Sequence, residues 1–213
     1  MTKMFEKLKS YNKEHDIINF LYENKLLISF SFVLIMGMIL GTMCVRNISV
    51  DTVKNLNFLF VNDFQQRISQ PYFMAFIASL SSLTIFIISI IFLTLSSCGI
   101  FLVPAVLFFR GFGIGISAGY LYLIHGLKGV AFHILILLPG IFISSIGLIL
   151  ICIESVKFSY EYLKKLFPKS NSESLWLKLK VYFRKITYLM ILLVLSSFVD
   201  MIFMMLFSRF FMF

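Results

Sequence analysis

Five long apolar stretches divide this sequence, at about residues 26–45, 72–95, 100–124, 130–153 and 186–207. A helix of about 20 apolar residues spans the hydrocarbon core of a bilayer, because it satisfies its backbone hydrogen bonds internally. The composition agrees, since 60% of the residues are hydrophobic and 14% are charged, whereas soluble domains are roughly 25% charged. The sequence therefore predicts an all-α, polytopic helical membrane protein with about five transmembrane helices.

The basic residues predict the orientation in the membrane. Thirteen of the 19 Lys and Arg residues lie either before the first apolar stretch or between the fourth and the fifth. Cytoplasmic segments of membrane proteins carry an excess of Lys and Arg. With five spans these two regions fall on one side, so we expect the N-terminus in the cytoplasm and the C-terminus outside. Topology and anionic lipid account for the net charge of +9, so nucleic acid is not an expected partner.

Three pieces lie outside the predicted spans. Residues 1–25 carry apolar side chains at helical spacing and predict an interfacial amphipathic helix or, alternatively, a partner-binding helix. Residues 26–213 form the predicted membrane domain. Within this domain, the pattern at 154–185 predicts a cytoplasmic helical hairpin that extends the membrane helices. The outer loop, 46–70, predicts a short amphipathic helix and is our candidate for contact with an extracellular partner. Its apolar residues at helical spacing are Val53, Leu56, Phe60 and Phe64.

Glycines recur at every fourth residue in two of the apolar stretches. Small residues at this spacing share one helix face and let two backbones approach closely within a membrane. Packing inside one chain and contact between two copies both remain open, so a homo-oligomer is possible. The glycines predicted to pack helices are Gly37, Gly41, Gly111, Gly115 and Gly119.

Three polar residues lie within predicted spans and are candidates for function. They are Arg110 near the middle of the third stretch, His133 near the outer end of the fourth, and Asp200 in the outer third of the fifth. Such groups are costly in hydrocarbon and need partners or water. They suggest either a buried polar contact that fixes packing or a polar path around Arg110 and Asp200. Pro104, together with Arg110, leaves open a broken or re-entrant third helix.

The sequence offers little from which to build a catalyst or a metal centre. His125 and His133 are eight residues apart, and no further His or acid gives zinc-ligand spacing. An intramembrane hydrolase would require a nucleophile with its base or a metal site. We therefore expect a non-enzymatic protein without metal or cofactor. The alternative class is a transport protein or permease subunit that uses the polar path.

A more specific pattern occupies residues 109–139. Its positions are Phe109, Arg110, Gly111, Phe112, Ile114, Gly115, Gly119, Tyr120, Leu121, Gly126, Lys128, Gly129, Leu138 and Pro139. This pattern resembles the stage II sporulation protein M family. The layout is also similar, with a basic cytoplasmic tail, one anchor, a short outer loop and a cluster of spans.

The resemblance implies an integral protein of the bacterial cell membrane that acts at the sporulation septum during engulfment. Proteins of this family hold two peptidoglycan-degrading partners, stage II sporulation proteins D and P, and are not hydrolases themselves. The expected function is accordingly a membrane scaffold for septal peptidoglycan remodelling, with the lipid bilayer and those two proteins as partners.

Overall fold

The computed structural model describes residues 24–46, 72–96, 99–166 and 175–207, and these residues are almost entirely helical. No strand occurs among them, which confirms the predicted all-α class. The helices are α1 (Lys25–Arg46), α2 (Tyr72–Thr94), α3 (Gly99–Phe132), α4 (Leu138–Leu166) and α5 (Leu175–Phe207), with a π-helical turn, His133–Leu137, between α3 and α4.

Four helical runs in the described residues are long and apolar enough to cross a membrane. The run Gly99–Lys164 has 66 residues, which would measure about 99 Å as one straight helix, roughly three times the hydrocarbon thickness. Gly126 interrupts it with φ 57° and ψ −135°, a left-handed conformation that glycine adopts without steric cost. The predicted third and fourth spans therefore lie on the two sides of Gly126.

The helical segments before and after Gly126 run antiparallel. Close to the turn, a Cβ atom on Gly129 would overlap the carbonyl of Leu121. At the ends of these two segments that are far from Gly126, Ser159 Oγ of α4 donates a hydrogen bond of 3.2 Å to the carbonyl of Ser96, just before α3. The chain thus reverses direction at Gly126, within α3. The number of bilayer crossings and the side of each terminus stay predictions.

The third predicted span is one uninterrupted helix up to Gly126. Neither Pro104 nor Arg110 departs from helical backbone angles in α3, so the broken or re-entrant alternative is not observed. Proline removes a single backbone hydrogen bond, and neighbouring helices can stabilise a transmembrane helix that contains one.

The helices pack around one apolar cluster to which all five contribute. Phe30 of α1, Ile87 of α2, Val103 of α3, Ile151 of α4 and Leu193 of α5 are buried in it. Large apolar side chains also cover the outside of the protein, such as Phe92 at 77% exposure and Phe101 at 82%. A helical protein that is apolar inside and outside suits a lipid environment.

Helices α4 and α5 extend beyond their predicted apolar stretches as the two legs of the predicted hairpin. Glu161 and Lys178 form an ion pair of 3.0 Å between the legs, and Lys185 Nζ donates to Glu154 Oε2 at 2.7 Å. The turn of this hairpin, the N-terminal amphipathic segment and the outer loop lie outside the described residues. Four candidate contact residues are in that loop: Val53, Leu56, Phe60 and Phe64.

Candidate functional site: an intramembrane polar cavity

Helix α3 has two faces, and the first of them packs directly on the backbone of α1. A Cβ atom on Gly111 would overlap the carbonyl of Leu34, and one on Gly115 would overlap the carbonyl of Met38. Residue numbers rise in the same direction on both sides of this contact, from Leu34 to Met38 in α1 and from Gly111 to Gly115 in α3. Helices α1 and α3 are therefore parallel.

The glycines of α1 have the reciprocal arrangement. A Cβ atom on Gly37 would overlap the carbonyl of Phe108, and one on Gly41 would overlap that of Phe112. These four glycines lie in one contact between α1 and α3, which Gly119 extends by packing on Val45 and Thr42 of α1. We call this contact, which lies within one chain, the glycine seam. A second copy of the protein would have to use another surface.

The glycine seam is reinforced by one side-chain hydroxyl. Thr42 Oγ1 lies 2.9 Å from the carbonyl oxygen of Met38 in its own helix and 3.2 Å from that of Gly115 in α3. One hydroxyl hydrogen is thus shared between two helices. Such an interhelical hydrogen bond forms where close backbone approach brings a small polar residue against the next helix.

The glycine seam also determines the level of Arg110 relative to α1. Its neighbour Gly111 packs on Leu34, which lies near the middle of the 22-residue helix α1. Arg110 is therefore level with the middle of helix α1, and its depth in the bilayer stays a prediction. A charge at this depth is expensive unless it faces protein or water.

The second face of α3 lines a cavity of about 400 Å³. Arg110, Ile114, Ser117 and Leu121 follow the helical repeat along this face, and Tyr120 adjoins them. Ten residues separate Arg110 from Tyr120, which corresponds to about 15 Å along the axis. The cavity thus extends from the middle of the protein toward the end where α3 turns at Gly126. Its other walls come from α2, the π-helical turn, α4 and α5.

Arg110 contacts α2 inside this cavity. Its Nη1 atom lies 3.5 Å from Ser82 Oγ, and its Cζ atom lies 5.2 Å from the centre of the Phe86 ring. A guanidinium over an aromatic face is attracted by the quadrupole of the ring, by roughly 0.5–2 kcal/mol. These contacts keep the guanidinium within the protein, and the side chain is half-buried.

Asp200 enters the same cavity from α5. Its Oδ2 atom accepts a hydrogen bond of 2.7 Å from Ser79 Oγ, one helical turn from the serine that Arg110 contacts. A Cβ atom on Gly140 would overlap the carboxylate of Asp200, and Ser196 Oγ donates to the carbonyl of Gly140 at 2.7 Å. Gly140 thus provides the space for the carboxylate between α4 and α5.

His133 begins the π-helical turn and forms part of the cavity wall. Only 8% of its surface is exposed, and its Nδ1 atom has no hydrogen-bond partner among the residues that the structure describes. π-Helical turns inside longer helices often occur at functional sites. An imidazole nitrogen at this position can accept or donate a hydrogen bond within the cavity.

The structure brings together the three polar residues that the sequence singles out, since Arg110, His133 and Asp200 all line this cavity. Sequence reasoning missed the serines of α2 and the role of Gly140. A signal for the serines was present, because Ser79 and Ser82 lie three residues apart in an otherwise apolar segment. Across the described ranges, no three His, Cys, Asp or Glu side chains are grouped as metal ligands would be.

The lining of the cavity combines a few polar groups with apolar walls. It offers one cation, one carboxylate, an imidazole and several hydroxyl groups within apolar walls, the combination that is typical of small-molecule sites. No family model matches this chain, and comparisons with curated proteins and with solved structures found no match either.

Proposed function

We propose that this protein is a non-enzymatic membrane scaffold for septal peptidoglycan remodelling during sporulation engulfment. The observation that carries the proposal is the pattern at 109–139, which resembles the stage II sporulation protein M family. In three dimensions, this pattern builds one unit. Gly111 and Gly115 anchor α3 on α1, Arg110 and Tyr120 line the cavity, and Gly126 reverses the chain.

The glycine seam supports a scaffold for a mechanical reason. Helix α1 joins the two segments that the sequence offers for partners, the N-terminal segment before Lys25 and the outer loop after Arg46. Backbone packing through Gly115 fixes α1 against the rest of the membrane domain. Partners held by those segments would then be held at a defined position relative to the bilayer.

The proposed partners are the peptidoglycan-degrading stage II sporulation proteins D and P, and the proposed location is the septum of the sporulating bacterial cell. The test is affinity purification of the tagged full-length protein from sporulating cells, with mass spectrometry of the proteins that accompany it. Recovery of both hydrolases supports the proposal. Their absence, with the tagged protein present in the membrane, contradicts it.

A matched pair of variants makes this test specific. Gly115→Ala places a methyl group against the Met38 carbonyl, whereas Gly113→Ala places the same group where no atom lies within 4 Å. We expect Gly115→Ala to reduce hydrolase recovery severalfold and Gly113→Ala to leave it unchanged. Equal recovery from both variants, at equal membrane levels, would contradict the role of the glycine seam.

The cavity supports a second candidate function, a transport protein or permease subunit with a polar path around Arg110 and Asp200. Charged residues that face a cavity within a membrane are characteristic of substrate pathways. The test is solute uptake into proteoliposomes, in which Arg110→Ala should abolish flux. Normal engulfment in a strain with both Arg110→Ala and Asp200→Ala would contradict a role for this path in engulfment.

A further inference from the structure

A second cavity, which we call the interfacial cavity, has a volume of about 460 Å³ and lies between α1, α4 and α5. It shares no lining residue with the cavity around Arg110. Leu26, Ile153 and Lys185 line it, and in the sequence they lie at or beside the cytoplasmic ends of the first, fourth and fifth predicted spans. The interfacial cavity is therefore at the predicted level of the inner membrane surface.

Three charged side chains form a cluster in this lining. Lys157 Nζ lies 3.6 Å from Glu154 Oε1, and Lys185 Nζ donates to Glu154 Oε2 at 2.7 Å. Two lysines against one glutamate leave the cluster with a net charge of +1. An ammonium group has three N–H donors, and the two lysine side chains are 56% and 51% exposed. Each lysine therefore has donors for a further acceptor, and the excess charge favours an anion.

Apolar side chains line the same cavity about one helical turn deeper. Leu150 precedes Glu154 by four residues in α4, which is about 6 Å along the axis. Leu189 follows Lys185 by four residues in α5. Both steps lead into a predicted span, and Leu27 of α1 lines the cavity as well. We call these three leucines the apolar wall, so the lining changes from charged to apolar toward the predicted bilayer core.

An anionic phospholipid complements both parts of this lining. Its phosphate carries the negative charge that the lysine pair attracts, and lysine binds phosphate as a point charge. Basic pockets between transmembrane helices on the cytoplasmic side bind anionic headgroups. Tyr188, which also lines the cavity and is 67% exposed, belongs to a residue type that is enriched at the level of the headgroups. A soluble anion would use the lysines and leave the apolar wall without a contact.

We propose that the interfacial cavity binds one anionic phospholipid of the inner leaflet. Lys157 and Lys185 bind its phosphate, and one acyl chain lies along the apolar wall. Glu154 is a positioning residue, because its carboxylate keeps the two ammonium groups together. The volume falls within the range of small-molecule sites, roughly 300–1,000 Å³. The site does not depend on the proposed scaffold function, since it uses none of the residues that support that proposal.

The test is native mass spectrometry of the detergent-purified full-length protein with phosphatidylglycerol and phosphatidylcholine of equal chain length. Phosphatidylcholine has the same phosphate and chains, but its fixed positive charge leaves no net charge for the lysine pair to attract. We expect one saturable phosphatidylglycerol site with a preference of about fivefold or more, the factor that one basic residue contributes at an anionic surface. Equal binding of the two lipids overturns the proposal.

Glycerophosphoglycerol, the same headgroup without acyl chains, identifies the source of the anion. We expect it to bind at least about tenfold more weakly than the lipid, because each buried methylene group contributes about fourfold. Equal affinity for glycerophosphoglycerol overturns the assignment to lipid. The absence of saturable binding of any probe overturns the site, and it leaves the segment before Asn24 or a second copy of the chain as the occupant.

Paired substitutions test the lysine cluster. Lys157→Gln with Lys185→Gln removes both cations and should abolish the preference for phosphatidylglycerol. The control is Lys164→Gln with Lys178→Gln, which also removes one cation from α4 and one from α5 and breaks the ion pair with Glu161, but outside the lining. Exposed ion pairs contribute little to stability, so both variants should fold. A preference that persists in the first variant, or is lost equally in both, overturns the role of the lysines.

A second pair of variants tests the apolar wall with every charge in place. Leu27 lines the interfacial cavity and Ile28 does not, although their exposures are similar, at 40% and 39%. Leu27→Trp should narrow the cavity and weaken phosphatidylglycerol binding by about fourfold for each methylene group that it displaces. Ile28→Trp adds the same side chain outside the lining and should leave binding unchanged. Equal affinities in these two variants overturn the proposed position of the acyl chain.

Discussion

At the scale of single residues, the polar contacts of the cavity depend on the space that small side chains leave. Asp200 is accommodated because Gly140 has no side chain, and the carbonyl of Gly140 is held by Ser196. The sequence predicted that Asp200 matters, but not what surrounds it. Gly140 follows Pro139 in the sequence, and this position does not indicate a contact with Asp200, which is 60 residues away.

This contact gives a prediction for Gly140→Ala. The added methyl group would overlap the Asp200 carboxylate, and overpacking of this kind costs about 1–3 kcal/mol. We expect a lower melting temperature for the detergent-solubilised protein, measured by circular dichroism. Adding Asp200→Ala to this variant should recover part of the lost stability, because the effects of substitutions at two contacting residues on the free energy of unfolding are not additive. Additive effects of the two changes would contradict the contact.

A second prediction concerns Tyr182, which is buried where α2, α4 and α5 meet. Its hydroxyl group lies 2.9 Å from Ser155 Oγ and 3.3 Å from Thr94 Oγ1. Tyr182→Phe leaves these hydroxyl groups without that partner, at a cost of about 1–3 kcal/mol. The control is Glu161→Gln, which breaks an exposed ion pair with Lys178 and should cost at most about 1 kcal/mol. Equal melting temperatures for the two variants would contradict the buried network.

At the scale of helices, the two faces of α3 make different contacts. Gly111, Gly115 and Gly119 meet α1, while Arg110 and Ser117 face the cavity. The spacing of the glycines predicted close packing because small residues allow backbones to approach. It did not identify the partner, because the same spacing suits contact with a helix of the same chain or of a second copy.

The glycine seam gives a crosslinking prediction. A Cβ atom placed on Gly119 would lie 3.3 Å from Cβ of Val45, close to the separation of about 3.8 Å in disulfides. With the three native cysteines replaced, Val45→Cys combined with Gly119→Cys should form an intramolecular disulfide, seen as a mobility shift on non-reducing gels. Val45→Cys with Gly113→Cys is the control and should not crosslink within one chain. A crosslinked dimer would instead assign the seam to two copies.

At the scale of the whole molecule, the helix directions agree with a chain that alternates across the bilayer. Helices α1 and α3 are parallel, and the legs on either side of Gly126 are antiparallel. The basic residues predict which side is cytoplasmic, and this orientation has its own test.

We expect cysteines introduced at Asn55 and Asn171 to lie on opposite sides of the membrane. A membrane-impermeant maleimide should label Asn55→Cys in intact cells and Asn171→Cys only after permeabilisation, in a chain without native cysteines. The physical reason is the retention of Lys-rich segments on the cytoplasmic side. Labelling of both positions from one side would contradict the five-span layout.

The sequence by itself determined that this is a helical membrane protein and where its apolar helices lie. Bilayer thickness and backbone hydrogen bonding allow an apolar stretch of that length few other structures. Only the tertiary structure decided that Gly115 meets Met38, that α3 continues unbroken past Arg110, and that Arg110, His133 and Asp200 share one cavity. Helix pairing depends on side-chain shape and hydrogen bonds, because lipid is as apolar as the helices that it surrounds.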